Sequence, residues 1–204
     1  MGIQASKIDA HWNFFLAIER DLEVLSRYVE FDERNFECFS IEIARLLVAA
    51  SGEIDVVAKQ VCRAIDPGSA ADRIKAYRTE LTANFPHISA FPVLIPRFGL
   101  TLHPWETWKR ANGVPFWWTA HNKIKHHRNT EYDQANLKNA LNAVAALFVM
   151  VLHLYAEKAR AGQLTPSPVL LRPDEDYVSG YTAIGPELGC NYRLEGRPPD
   201  GPPA

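Results

Sequence analysis

One apolar stretch restricts the fold more than any other part of this sequence. Apolar side chains fill positions 143–152, and the predicted helix around them, residues 133–162, is apolar on more than one face. A helix that crosses a bilayer needs about 20 predominantly apolar residues, twice the length of this run. A helix that is apolar on several faces is contacted from several sides. The sequence therefore predicts a buried central helix around which the other segments pack.

Four other segments are predicted to be helices that pack on one face, because their apolar residues recur at helical spacing. They are residues 10–30, 43–65, 69–85 and 116–128. Ser40 is a suitable N-cap for the second of them, because its hydroxyl can accept a free backbone N–H. The string Asp-Pro-Gly-Ser at 66–69 ends the same helix.

Two regions break this helical pattern. FPVLI and FGLTL, between residues 88 and 103, are short β-prone runs among prolines, and they predict extended chain or a hairpin. The final 42 residues hold 8 of the 14 prolines and 5 of the 11 glycines. We therefore predict an all-α bundle of four to five helices over residues 1–162, with that insertion. A C-terminal extension, 163–204, would pack on its surface and be disordered at its end.

The composition fits one soluble domain. The net charge of -2 means that any attraction to nucleic acid must be local. The three cysteines are odd in number and widely spaced, which argues against a disulfide framework and a thiolate zinc site. The N-terminus lacks the pattern of a signal peptide, so we expect a cytoplasmic protein that does not enter a membrane. Its Met-Gly start with Ser6 fits the myristoylation pattern, which is frequent by chance.

The segment richest in cationic and titratable side chains is FWWTAHNKIKHHRN, residues 116–129. At 100° per residue it sorts into two faces. The predicted core face consists of Phe116, Trp117, Ala120 and Ile124. The opposite arc consists of His121, Asn122, Lys125, His126, Arg128 and Asn129.

The surroundings of this segment favour an anionic ligand. Between residues 103 and 129, five cations and one anion give a local charge of +4, and four tryptophans lie in the same stretch. Cations hold phosphates, and flat rings beside cations stack on the bases of single-stranded nucleic acid. The predicted nucleic-acid contacts are His121, Asn129, Lys123, Trp118 and Arg110.

Other interpretations fit the same residues. Basic side chains on a helix face are most often only solvated, and tryptophans near prolines most often pack. The histidines could hold a metal ion, but no HExxH pattern or cysteine partner accompanies them. We therefore expect neither a metal nor a cofactor. A non-catalytic helical dimer that binds a protein or nucleic acid would carry the same surface.

The string WWTAHNKIKHHRN and the alanine-rich apolar helix after it resemble the last two helices of bacterial HEPN-superfamily proteins. In that group a pattern close to aromatic-Asn-x-x-Lys-His-x-Arg precedes such a helix. The matching residues are Asn122, Lys125, His126 and Arg128, with His121 at the aromatic position. The resemblance covers roughly residues 10–160. It implies a helical bundle, often dimeric, of toxin and phage-defence systems, and metal-independent ribonuclease activity.

The chain departs from the best-known HEPN motif, in which an Arg is followed by four to six residues and a His. Within 116–129, Arg128 follows the histidines instead. Arg97 and His103 have the required spacing, but Phe98 replaces the usual polar neighbour of the arginine and the segment is predicted to be extended.

The resemblance implies roles for four residues. His126 would be the general base or acid on a ribose 2′-hydroxyl or a leaving oxygen. Arg128 and Lys125 would neutralise the pentacoordinate phosphate, and Asn122 would orient His126 or hold the nucleotide. Acidic residues of the second helix, Glu53 and Asp55, would either pair with these cations or face solvent.

We therefore predict an HEPN-like RNA-binding protein or metal-independent endoribonuclease. Its expected partners are RNA, an antitoxin or other partner protein, and a second copy of the chain. The alternative is the non-catalytic interaction module. The environment of residues 122–128 bears on this choice, because a cleft supports function and a convex surface does not.

Overall fold

The computed structural model describes residues 8–197, and that range contains six α-helices. Their bounds are α1 Ala10–Leu25, α2 Ile41–Ile65, α3 Ile74–Asn84, α4 Phe116–Glu131, α5 Leu137–Leu154 and α6 Ala156–Arg160. The myristoylation pattern at the start of the chain lies outside the described residues. So does the end of the C-terminal extension, which was predicted to be disordered.

Five short strands accompany the helices in the described range. Their bounds are β1 Val93–Ile95, β2 Leu100–Leu102, β3 Arg172–Pro173, β4 Val178–Ile184 and β5 Glu187–Tyr192. They form two antiparallel sheets, one in the order β2-β1-β3 and one that pairs β4 with β5. The prediction of an all-α protein is therefore wrong. The fold is mixed α/β, and 59% of it is helical.

The sequence predicts one of the two hairpins and not the other. The insertion forms the β1–β2 hairpin within the predicted 88–103 segment, with Gly99 in the left-handed region at its turn. The β4–β5 hairpin was not predicted, because frequent proline and glycine suggested irregular chain. Gly185, at φ 58°, and Pro186 form its two-residue loop. A glycine at positive φ is what such a short hairpin loop requires.

The predicted central helix is confirmed as α5. Sixteen of its 18 residues are buried, and α1, α2 and α4 all pack against it. Of the helices within residues 8–197, α5 alone has the length and apolar composition to cross a membrane, yet 89% of that span is buried inside the fold. Burial on every side identifies α5 as the core helix.

The helices α1, α2 and α4 lie side by side over α5. The ion pair between Arg45 and Asp21, 2.9 Å, and the contact between His11 and Glu53 align α1 antiparallel to α2. On the other side of α2, residues near its start face the end of α4. This layer places the candidate segment, α4, directly beside α2.

The predicted ends of the outer helices are partly correct. The Ser40 hydroxyl accepts the backbone N–H of Ile43 at 3.2 Å, which confirms the N-cap of α2, and α2 ends at Ile65 as predicted. The first helix ends at Leu25 rather than at residue 30, and the third begins at Ile74 rather than at residue 69.

The C-terminal segment is anchored to α1 by a buried carboxylate. Glu19 is 2% exposed and accepts the backbone N–H groups of Val169, Leu170 and Leu171 at 2.8 to 3.1 Å. Several apolar side chains of the segment join the main core: Leu164, Leu170, Leu171, Tyr177, Tyr192 and Leu194. The segment after residue 162 therefore completes the core as well as covering its surface.

Candidate nucleic-acid interface

The segment predicted to carry the chemistry forms α4, which begins directly after Pro115. Its buried residues are Trp117, Trp118, Ala120, His121 and Ile124. Trp117, Ala120 and Ile124 therefore confirm most of the predicted core face. Phe116 was also predicted to face the core, but it is 39% exposed. Its ring lies beside the Lys138 ammonium, 5.5 Å from the ring centroid.

The helix is interrupted close to its end. His127 leaves the helical region, at φ -137° and ψ 36°, and the Thr130 hydroxyl donates to its carbonyl oxygen at 3.3 Å. A side chain that bonds to the backbone in this way competes with the regular helical ladder. The kink means that Arg128 and Asn129 no longer continue the straight helix face of the preceding residues.

Beyond the kink, α4 and the first half of α2 enclose an open groove of about 1020 Å³. It is lined by Ile41, Ala44, Arg45, Val48, Ala49, Arg128, Asn129 and Tyr132. Most of its lining residues are apolar, and its two charged lining residues are Arg45 and Arg128. Two of the predicted residues, Arg128 and Asn129, therefore line a concave surface.

The remaining predicted catalytic residues lie on the straight part of α4. Asn122, Lys125 and His126 are exposed and within one helical turn of one another. They do not line the groove that Arg128 enters. We call the exposed set Asn122, Lys125, His126, Arg128 and Asn129 the α4 polar surface. The helix brings three of its members together, and the kink sets the other two apart.

The cations of this region differ in their ion pairs. Lys123 bonds to the Glu131 carboxylate at 2.9 Å, so its charge is largely neutralised within α4. Within residues 8–197, Lys125, Arg128 and Arg110 have no carboxylate at ion-pair distance. These three exposed charges are free to bind an external anion.

His121 does not lie on the exposed arc, in contrast to the prediction. It is 7% exposed, the Trp118 ring packs edge to face against it, and no group in the described chain bonds to its buried Nδ1. Burial lowers the pKa of His121, and Lys125 and His126 lower it further, while Asp55 acts in the opposite direction. The imidazole is therefore neutral at neutral pH.

The tryptophans pack into the core and do not offer a stacking surface. Trp118, a predicted nucleic-acid contact, is 8% exposed and meets His121 edge to face at a centroid distance of 5.6 Å. Trp105 and Trp117 donate their indole N–H groups to the carbonyl oxygens of Ala146 and Pro104. Their rings bury large apolar areas and satisfy their polar atoms inside the fold. The ring of Trp118 is therefore not exposed for stacking on a base, and its contact with nucleic acid stays a prediction.

The acidic residues of α2 do not touch the α4 cations. Glu53 contacts His11 on α1. Asp55 bonds to Lys59 at 2.5 Å and accepts the Tyr77 hydroxyl at 2.8 Å. Both carboxylates are only partly exposed. They therefore neither pair with the α4 cations nor face solvent completely, which were the two predicted alternatives.

Sequence reasoning missed the aromatic and apolar part of the groove. Tyr132 lines it, and Phe39 meets Tyr132 edge to face at 5.5 Å. Phe39 precedes α2 and Tyr132 follows α4, so only the tertiary fold brings them together. The local signal available was the exposed apolar residue Ile41 in the first turn of α2, which the core pattern does not use.

In comparisons with known proteins, no family model, no curated protein and no solved structure matches the chain. Within residues 8–197, no three His, Cys, Asp or Glu side chains lie close enough together to hold a metal ion.

Proposed function

We propose that this protein is an HEPN-like RNA-binding protein and that RNA lies along the α4 polar surface. The observation that carries the proposal is that two exposed cations of α4, Lys125 and Arg128, lack a carboxylate partner within residues 8–197, and that Arg128 also lines the groove. Lys125 and Arg128 lie three positions apart, with His126 and His127 between them.

The chemistry of RNA matches this arrangement. Each Lys or Arg that neutralises a phosphate releases condensed counterions, which is the main source of sequence-independent affinity. Asparagine side chains beside the cations can donate to and accept from a base edge or a 2′-hydroxyl. The partly buried Tyr132 ring lines the same groove as Arg128 and would offer an aromatic surface to a base beside a phosphate bound by that arginine.

Binding to a labelled single-stranded RNA, measured by fluorescence anisotropy over a range of salt, tests the proposal. Lys125→Ala and Arg128→Ala should each weaken binding and lower the slope of log affinity against log salt by about 0.7. Lys75→Ala and Arg27→Ala are matched controls, because both residues are exposed and lie on other helices or loops. Equal losses of RNA affinity in all four variants would show that the α4 polar surface is not the RNA-binding site.

A second candidate function is metal-independent cleavage of the bound RNA. The arrangement that favours it is the exposed imidazole of His126, next to the free Lys125 ammonium and one turn from Asn122. In that reaction His126 takes the proton of a ribose 2′-hydroxyl as its oxygen attacks phosphorus, or protonates the leaving 5′-oxygen. The cations stabilise the charge that develops on the phosphate.

Cleavage of end-labelled RNA in the presence of EDTA separates this candidate from a non-catalytic interaction module. For a catalyst, His126→Ala should abolish cleavage and leave RNA affinity within about threefold of the parent, a difference below about 1 kcal/mol. The exposed His87→Ala is the matched control and should cleave normally. Binding without cleavage in the parent protein identifies the interaction module. Cleavage that survives His126→Ala excludes this residue from catalysis.

A further inference from the structure

A second cavity lies where the start of α1, the second half of α2 and the junction of α5 with α6 meet. Its volume is about 460 Å³, which is within the range of small-molecule sites. Gln60 lies 15 positions after Arg45 on α2, so about 22 Å of helix separates this cavity from the groove beside α4. We call the cavity the α1–α5 cleft. It is lined by Ile8, Asp9, Ala10, His11, Gln60, Leu154, Tyr155 and Lys158.

The charged groups of the cleft already have partners. The Lys158 ammonium donates to both oxygens of the Asp9 carboxylate, at 2.6 and 2.8 Å. The His11 Nδ1 lies 2.5 Å from the Glu53 carboxylate, which does not line the cleft. A charged ligand would lose hydration on entering and would meet no lining ion of opposite sign that lacks a partner within residues 8–197. The cleft therefore favours an uncharged ligand.

A chain of hydrogen bonds fixes the amide group of Gln60. Because a carboxylate only accepts, the His11 Nδ1 carries the proton in its bond to Glu53, and the His11 Nε2 is left as an acceptor. The Gln60 amide nitrogen donates to that Nε2 at 2.7 Å. The second N–H and the carbonyl oxygen of this amide have no partner within residues 8–197. One donor and one acceptor of the same planar group therefore remain available to a ligand.

The remaining lining residues add a hydroxyl donor and apolar surface. The Tyr155 oxygen accepts the His11 backbone N–H at 3.3 Å, and its own proton has no acceptor within the described part of the chain. Burial raises the pKa of Tyr155, so the hydroxyl stays protonated at neutral pH. Ile8 and Leu154 supply apolar surface. A few placed polar groups beside apolar side chains are typical of sites that bind small molecules.

We propose that the α1–α5 cleft binds an uncharged small molecule that carries a carboxamide group on a short apolar body. The carboxamide N–H donates to the Gln60 carbonyl oxygen, and the carboxamide oxygen accepts the second Gln60 N–H, so the two amides pair edge to edge. The Tyr155 hydroxyl donates to the other lone pair of the same oxygen. A carboxylate in this place lacks the donor and leaves the Gln60 oxygen without a partner. The inference does not depend on RNA binding, because the cleft uses no residue of α4.

Amide NMR spectra of the whole chain, titrated with benzamide, benzoate and benzylamine, test the proposal. The three probes share one ring and differ in charge and in hydrogen-bonding groups. Benzamide should shift the signals of Ala10, His11, Tyr155 and Lys158 with a millimolar dissociation constant, which is ordinary for a ligand of about nine non-hydrogen atoms. Benzoate and benzylamine should bind at least about tenfold more weakly, because each leaves one hydrogen-bonding group of Gln60 without a partner. No binding of benzamide, or equal binding of either charged probe, overturns the proposal.

Two variants locate the binding site. Gln60→Leu keeps a helix-forming side chain of similar size but removes the amide, so it should weaken benzamide binding about tenfold. Ala10→Trp places a large ring at an exposed position of the cleft lining and should block binding without changing the core. The matched controls are Gln134→Leu, before the start of α5, and Ala17→Trp, exposed on α1 outside the cleft lining, and both should bind benzamide as the parent does. Benzamide affinity that survives both cleft variants, or that falls equally in the controls, overturns this site.

Discussion

At the scale of single residues, His153 couples the stability of the fold to pH. Its Nδ1 donates to the Val149 carbonyl oxygen at 2.7 Å, and its Nε2 is buried with no partner in the described chain. Burial lowers the pKa of His153 from 6.5 to about 4. The unfolded chain therefore binds a proton near pH 6.5, whereas the folded protein does so only near pH 4. The unfolding free energy that depends on neutral His153 is fully present above pH 6.5, and it is lost as the pH falls from 6.5 to 4.

We expect His153 alone to cost about 3 kcal/mol of unfolding free energy between pH 7 and pH 4. Urea unfolding at both pH values, for the parent and for His153→Leu, measures this contribution. The variant should lose about 3 kcal/mol less than the parent over the same interval, because leucine does not titrate. The exposed His87→Leu should keep the pH dependence of the parent. Identical losses in the parent and in His153→Leu would contradict the expectation.

At the scale of elements, Glu19 joins α1 to the C-terminal segment. Glu19→Gln should lower the unfolding free energy by about 2 kcal/mol, because an amide oxygen cannot accept all three N–H groups and the NH₂ group faces donors. Amide exchange at residues 169–171 should accelerate in the same variant. Glu23→Gln, on the same helix, removes only a surface pair with Arg20 and should cost less than about 1 kcal/mol. Unchanged exchange at 169–171 would show that Glu19 does not anchor this segment.

The sequence predicts those elements that depend on local patterns. The burial of α5 follows from an apolar run, and the start of α2 from the Ser40 hydroxyl, so both could be identified without coordinates. The burial of His121 could not, because a helical projection of α4 does not show which parts of its polar arc the rest of the fold covers. Nor does the sequence predict the kink at His127, which decides where Arg128 points.

Contacts between distant segments account for the remaining errors. The Glu19 carboxylate lies in an ordinary amphipathic helix, and its three partners are about 150 residues away in the chain. Tyr132 lines the groove and contacts Phe39, and these two residues also meet only in the folded chain. Such sites combine residues that carry no common local signal, so periodicity and spacing identify the helices but not the surfaces between them.

At the scale of the whole molecule, the C-terminal segment decides whether the helical part can stand alone. The helical domain was predicted to end at residue 162, yet six apolar side chains beyond it are buried in the same core. Removing these side chains loses their burial, which lowers the unfolding free energy by about 1.5 kcal/mol or more each, or about 10 kcal/mol in total. Since whole domains are stable by only about 5–15 kcal/mol, a chain that ends at Gly162 should not hold the native packing.

A chain truncated after Gly162 therefore tests this dependence directly. Circular dichroism should show helix, but the near-ultraviolet signal of the packed tryptophans should be weak and the dye ANS should bind, as in a molten globule. A second chain, truncated after Arg197, retains these six buried apolar side chains and should unfold in one cooperative transition. If the shorter chain unfolds as sharply as the longer one, with a similar Tm, the helices form an independent domain. The C-terminal segment would then be only a cover on its surface.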